Sequence, residues 1–544
     1  MSDFRSHGPV EPVLDMDEIQ GIAVPGFFKP HQTLIYVHLP HQRDGVDQFR
    51  EFLRDFVPSV ATAAKTLRDR RDHRQTAVTP RATALRRGAP ARHPVRRGVL
   101  IAVAFSAQGL VKLTPGASEI PSVAFQGGLA SRSSLLGDPT RPGAEGHPSN
   151  WVVGKPGEEL DLLVVVAGDE RGPVSAEAET IMKQLLSVGA RVAKQDGDVR
   201  QGKMAGHEHF GFDDGISQPG IRGRVSTAAD DFVTDRHIDP SDRPAAWLYG
   251  YPGQDLVWPG EFILGYPATG PDPLVPGPLS EARPAWTRNG SFLVYRRLRQ
   301  DVGLFWRTMR EEAGRLAKLD GFQGLTDDRL AARLVGRWQS GAPVNRVPAG
   351  DNQALGEDPF ANNNFLFDAD TPRLSLAAGH SDPFEAAKAD PVGVTCPWAA
   401  HIRKVNLRDS GSDIGGRIAT YSRRLLRIGV TFGKSLEDRY GEKPDPQNGD
   451  RGVLFLSIQA SIENQFEFLQ SRWMNDPSRP KMPGGNDMIV GQNAAAEHDV
   501  RQCTIFGGGL QQAQVSAANQ WVIPTGGGYF FVPSISALRD VIAR

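Results

Sequence analysis

The feature that most constrains the fold is a strand-then-helix unit that recurs at both ends of the chain. Thr33 to Leu39, TLIYVHL, is rich in the β-branched and aromatic residues that suit a strand. Val46, Phe49, Leu53, Phe56, Val57 and Val60 follow at helical spacing, with Pro58 as a kink. Gly98 to Phe105 and Asp161 to Ala167 are short apolar runs that predict two more strands, and 176–192 has a helical pattern. The second half repeats this order. Ser291 to Arg296 predicts a strand with a helix over 300–319, and Val453 to Gln459 another strand. A helix then carries Ile462, Phe466, Leu469 and Trp473 on one face, and the chain closes on Tyr529 to Pro533 and a short helix. Two such halves predict an α+β fold with helices packed on antiparallel sheets. Residues 223–285 are rich in proline and aromatics and predict a long connection over the surface. Pro115 to Asn150 predicts a long ordered loop of the kind that lines sites.

The chain has 544 residues, a length for two to four domains, and a formal net charge of -1. That balance argues against a nucleic-acid binder working through a basic surface. The basic run 65–97 reads as a solvated loop or helix end. Two cysteines, Cys396 and Cys503, make neither a disulfide scaffold nor a four-cysteine zinc site. The N-terminal residues have no signal-peptide pattern and no stretch has the length of a membrane span, so the expectation is a cytoplasmic protein with no membrane partner.

Candidate chemistry begins at Gly206 to Gly220, GHEHFGFDDGISQPG, where glycines and a proline surround His207, Glu208, His209, Asp213 and Asp214. On local grounds this is a solvated turn, because Asp and Gly are turn residues. HEH does not have the HExxH spacing of a helical zinc site. Further on, His401 stands in CPWAAHIRKVNLRD, before Arg403, Lys404 and Arg408, a cationic cluster suited to carboxylates or phosphates. RRLLRIGVTFG then places Arg427 in an apolar, strand-like context, where an unpaired buried charge is costly.

Together these segments resemble the dye-decolourising (DyP-type) haem peroxidases. GFDDG, Gly211 to Gly215, matches the family's GxxDG motif. CPWAAHIRK resembles the segment around its haem-ligating histidine, and LLRIGVTFG the segment carrying its distal arginine. IQG at Ile19 to Gly21, NGSFLVYRRLRQD at Asn289 to Asp301 and GGGYFFVPSISAL near the C-terminus also match, in order, over nearly the whole chain. The long central connection resembles the larger family members. One departure is Ile428, where relatives often have a second arginine.

The resemblance implies two ferredoxin-like domains: 1–222 carrying GxxDG, a connection over 223–288, and 289–544 holding most of the contacts to one haem b per chain. It implies Asp214 as distal carboxylate, Arg427 as distal arginine and His401 as iron ligand. Arg403, Arg408, Gly215 and Phe455 are expected at the cofactor, with Val453 beside Phe455. Asp213 falls at a variable position and reads as a solvated or structural neighbour. Glu463 is a candidate acceptor for the second nitrogen of His401, or simply a helix N-terminal acid. Tyr421, Trp473, Trp521 and Tyr529 are candidate electron relays or plain core aromatics. The implied activity is reduction of hydrogen peroxide and oxidation of small organic donors such as dyes and phenols, through a ferryl intermediate, fastest at acidic pH because the base is a carboxylate. The residues leave three other readings open: a haem-handling protein with incidental peroxidase activity, a haem ligated by Cys396, and a catalytically silent α+β module.

Overall fold

The computed structural model describes residues 8–72, 98–377, 379–443, 445, 449–493 and 500–544. Most of the basic run 65–97 lies outside the described residues. Nine strands form one antiparallel sheet: β1 (His31–His38), β2 (Val99–Phe105), β3 (Leu162–Gly168), β4 (Arg191–Asp198), β5 (Ser291–Gln300), β6 (Leu426–Arg427), β7 (Val430–Phe432), β8 (Gly452–Gln459) and β9 (Val522–Val532). Their spatial order is β6-β8-β5-β9-β2-β3-β1-β4, with β7 also pairing β8. In the first half the order β4-β1-β3-β2 is that of a ferredoxin-like unit, with helices Arg43–Phe56 and Arg171–Ser187 following β1 and β3. The second half gives β9-β5-β8 with β6 and β7 at the edge, and helix Val302–Leu316 follows β5.

The sheet curls into a barrel. Tyr36 on β1 and Tyr295 on β5 meet through hydroxyls 2.5 Å apart. Four strand spacings separate β1 from β5 in the sheet order, so they would lie about 19 Å apart if it were flat. At the far edges Val430 packs onto Gly197, and the Thr431 hydroxyl donates to the Asp198 carbonyl. Strand alternation then divides the core. Leu34, Tyr36, Leu163, Val165, Tyr295 and Leu456 fill the barrel. Ile35, Val37, Val164, Val166, Val294 and Phe531 face the helices outside.

The two halves join along β9 and β2 through one register pair, Phe531 opposite Phe105. Phe531 is fully buried against Phe125, Phe292 and Trp286. Phe531→Ala is expected to destabilise the protein by about 3–5 kcal/mol, read as a lower urea midpoint.

The structure revises several expectations. Residues 115–150 are not a loop throughout, because Val123–Arg132 is a helix capped by Ser122. The expected helix over 176–192 is Arg171–Ser187, and its last residues belong to the unforeseen β4. Strand β4, RVAKQDGD, is a polar and mostly accessible edge, so it carries no apolar alternation to read. The 223–285 connection does more than cover the surface: Val257, Phe262, Ile263 and Tyr266 are buried in the barrel core. The 462–474 segment winds largely as a π helix. Among the described residues no helix is long and apolar enough to cross a membrane.

Candidate active site

The loop after β4 is tied by Glu208. Its carboxylate accepts from the Phe212 and Phe210 amides, at 2.9 and 2.8 Å, and from the Gln300 side chain at the end of β5. His209 hands Nε2 to the Phe432 carbonyl at 2.8 Å, and burial lowers its pKa to about 4, so it is a neutral strut. With both ends pinned to strands, the intervening turn presents Asp213, Asp214 and Gly215 to a cavity of about 280 Å³. Gly215 has φ +87°, which a side chain would strain.

Arg427 reaches the same cavity from β6, whose pairing with Ile458 and Ser457 fixes its backbone. The Gln218 side chain bonds both the amide and the carbonyl of Arg427. Arg427 Nη1 donates to Asp214 Oδ1 at 2.9 Å, and the Gly215 amide donates to the same oxygen at 2.6 Å. Oδ2 accepts nothing from the described residues, so one carboxylate oxygen is held and the other left open. Burial pushes the Asp214 carboxyl up, but the Arg427 guanidinium and the Gly215 amide hold it below its ordinary value of 3.8. Asp213, expected as a solvated or structural neighbour, is not fully solvated. It is half-buried on the cavity wall, and burial, opposed in part by His207, pushes it up to about 6.

His401 opens the short helix His401–Val405 and lines the same cavity. Its Nδ1 lies 2.7 Å from Oδ2 of the fully buried Asp487, whose Oδ1 accepts from the Ile489 and Val490 amides. An ionised carboxylate only accepts, so Nδ1 carries the proton and Nε2 is free for the cavity. Burial pushes the imidazole down, yet Asp487 overrides it and holds the pKa above the ordinary value, while Asp487 is held below its own. Asp214 and Arg427 also act on His401, with opposite signs, which places all three groups within electrostatic reach.

Glu463 is not the partner of His401. It binds the Ser122 hydroxyl and the Ala124 amide, both at 2.8 Å, and so caps the Val123–Arg132 helix. Asp487 was missed because GGNDMIVG has no motif or periodicity marking its acid. Phe455, Val453, Gly215 and Arg408 line the cavity as expected. Arg403 does not: it is fully buried between Phe367 and Trp398, bonded to the Cys396 carbonyl and Asp368. Tyr421, Trp473, Trp521 and Tyr529 are all buried, at 2% exposure or less, and none lines the cavity. Buried Cys396 does not line it either, and burial pushes its thiol up to about 12, far from a ligating thiolate.

Haem carries two carboxylates on an apolar plate, and the donor set suits it. Arg408 is buried and gives its guanidinium to the Asn363 carbonyl and side chain and the Phe365 carbonyl. Arg337 is spent likewise on the Gly341 and Asn362 carbonyls, Ser217 and Asn363. Neither is ion-paired to a carboxylate among the described residues, although both line the cavity. Two buried cations without counter-charges match two carboxylates. Val405, Phe455, Leu469 and Ile489 supply apolar walls, and His401 Nε2 bonds to none of the described residues.

Residues 18–201 match the family model described as the DyP dimeric alpha+beta barrel domain. The dye-decolorizing peroxidase msp1 of Mycetinis scorodonius is 30% identical over 450 residues, covering 81% of this chain and 76% of that protein. An ancestral D-type dye-decolorizing peroxidase has a similar structure, with a TM-score of 0.73, 31% identity, and coverage of 98% of this chain and 100% of that one. A dye-decolorizing peroxidase solved in complex with 2,6-dimethoxyphenol gives 0.69, at 27% identity with the same coverage. One engineered in its heme pocket for asymmetric sulfoxidation gives 0.68, again at 27% and with the same coverage. The barrel built from two ferredoxin-like halves, the GxxDG loop beside an arginine and a histidine, and 30% identity across four-fifths of the chain place this protein in the dye-decolorizing peroxidase family.

Proposed function

We propose that His401 Nε2 would ligate the iron of one haem b held in this cavity, and that Asp214 and Arg427 act on the peroxide. As a dye-decolorizing peroxidase, the protein reduces hydrogen peroxide and oxidises organic donors such as dyes and phenols. The bound haem supplies the redox centre between the two. One observation carries the assignment: His401, Asp214 and Arg427, far apart in sequence, converge on one cavity with His401 Nε2 and Asp214 Oδ2 both uncommitted.

Each side chain has a definable task. Asp487 keeps the Nδ1 proton of His401, orients the ring and makes Nε2 more electron-rich. Asp214 Oδ2 is placed to take a proton from one oxygen of hydrogen peroxide and return it to the other, while the haem would supply the two electrons that cleave the O–O bond and, with two protons from solvent, leave both oxygens as water. Arg427 stays charged throughout and offsets the negative charge that develops as the O–O bond breaks. Arg408, and with it Arg337, would hold the haem carboxylates, and Phe455 would give the porphyrin an apolar wall. Arg403 supports the site only indirectly, by fixing the segment from Cys396 to His401. We also propose a division into 1–222, the connection 223–288 and 289–544, in keeping with one ferredoxin-like order on either side of the connection.

His401→Gly tests the ligand. The variant is expected to lose the histidine-ligated absorbance spectrum and to regain it with added imidazole, a small ligand that fits the vacated space. A spectrum identical to wild type without imidazole would overturn the assignment.

A further inference from the structure

A second cavity, of about 250 Å³, lies on the other side of the wall that carries His401 and Arg337. The wall is shared residue by residue. Val335 and Arg337 face the main cavity, whereas Arg333 and Trp338 face the second; Thr395 lines the second, and His401 the main one. Three aromatic rings, Phe322, Trp338 and Phe506, line the second cavity together with Arg329 and Arg333, and among the described residues no Asp or Glu does.

The two arginines stand one turn apart on the helix Asp327–Val335. Like charges at that spacing repel. Arg333 is 9% exposed; Nη2 donates to the Val394 and Phe506 carbonyls, at 2.7 and 2.8 Å. Nε and Nη1 of Arg333, and the whole Arg329 guanidinium, bond to no described residue. The acids of this helix are engaged elsewhere, since Asp327 and Asp328 both pair with Arg439. Burial lowers the Arg333 pKa to about 10, with Arg329 pushing the same way, so the group remains a cation at neutral pH. A buried guanidinium facing open space with no ion pair among the described residues is costly unless an anion satisfies it.

We propose that this second cavity binds a small aromatic carboxylate, its carboxylate held by Arg329 and Arg333 and its ring packed among Phe322, Trp338 and Phe506. Three rings beside two guanidiniums suit a ligand that joins one aromatic ring to one anionic group. A fork of two guanidiniums is the pattern that recognises planar anions. Trp338 presents its ring while its Nε1 is spent on the Val347 carbonyl at 2.8 Å, so the face and not the N–H is offered to a ligand.

Calorimetric titration of the haem-loaded enzyme with benzoate tests this, with benzamide as the neutral isostere and sulfate as the ringless anion. Benzoate is expected to bind without moving the haem absorbance, and about tenfold or more tighter than benzamide or sulfate. Arg329→Gln is expected to weaken benzoate about tenfold while the rate with hydrogen peroxide stays at the wild-type value. Arg333→Gln should behave alike. If loss of its two carbonyl bonds prevents folding, Arg329→Gln decides alone, because its guanidinium holds no part of the fold. Benzoate affinity unchanged in Arg329→Gln, or binding that shifts the haem spectrum, would place the ligand in the main cavity and overturn the proposal. Sulfate binding as tightly as benzoate would overturn the aromatic class, and no measurable benzoate binding would overturn the site.

Discussion

Asp214→Asn is expected to lower the rate constant for reaction with hydrogen peroxide by about 10²–10⁴-fold while haem stays bound. The substitution isolates the proton. An amide oxygen placed at Oδ1 keeps the bonds from the Gly215 amide and Arg427 Nη1. What changes is Oδ2, the oxygen with no partner among the described residues, which becomes an NH₂ unable to take a proton. Stopped-flow mixing with peroxide measures the rate, and haem absorbance measures occupancy. A variant within threefold of wild type would remove Asp214 from proton transfer. The neighbouring carboxyl offers a built-in control. Asp213 lies at about 6, so a mechanism run through it would slow below that pH. Asp214, held below 3.8, stays a base down to about that pH.

The strongest tertiary signals were legible in the sequence because they sit in apolar, regularly spaced segments. β1, β2, β3, β5 and β8 are nearly continuous runs of buried side chains, and runs of that kind identify themselves. β4 escaped because its side chains face solvent, and the Arg501–Phe506 and Gln512–Ala517 hairpin because its buried positions are partly small or polar residues, such as Arg501, Cys503 and Ala513, that carry little strand signal. At the site, Asp214, Arg427 and His401 were legible only through motif resemblance; nothing in local chemistry separated GFDDG from an ordinary turn. Asp487 and Arg337 were out of reach altogether. Each acts through a contact made by folding, 86 residues along the chain for His401 with Asp487, and no spacing rule links such partners. The error on Arg403 has a physical cause as well. It sits two residues after His401 on the same helix, which turns it away from the cavity and onto Phe367 and Trp398. Arg408, beyond the helix end and at φ +51°, is turned back toward the cavity.

Arg427→Leu is expected to lower the peroxide rate constant by about 10²–10³-fold and also to change its pH profile. The loss of rate comes from the missing positive charge where negative charge develops. The change of profile comes from Asp214. Two opposing influences set that carboxyl: burial, which raises its pKa, and the Arg427 charge with the Gly215 amide, which lowers it further than burial lifts it. Only the ionised form accepts a proton, so the wild-type rate is expected to stay level as pH falls and to drop only below the ordinary carboxylate value of 3.8. Without Arg427 the largest influence lowering Asp214 is gone, so its pKa rises and the acid limb moves to higher pH. Arg427→Lys separates the two effects. It keeps the charge near Asp214 and so should keep the wild-type limb, but it lacks the fork that also reaches the Ser217 carbonyl at 3.2 Å, and should recover only part of the rate. An acid limb at the same pH in wild type and Arg427→Leu would mean that Arg427 does not hold Asp214 ionised. The pairing of these two residues would then be structural, and the rate loss would belong to the arginine charge alone.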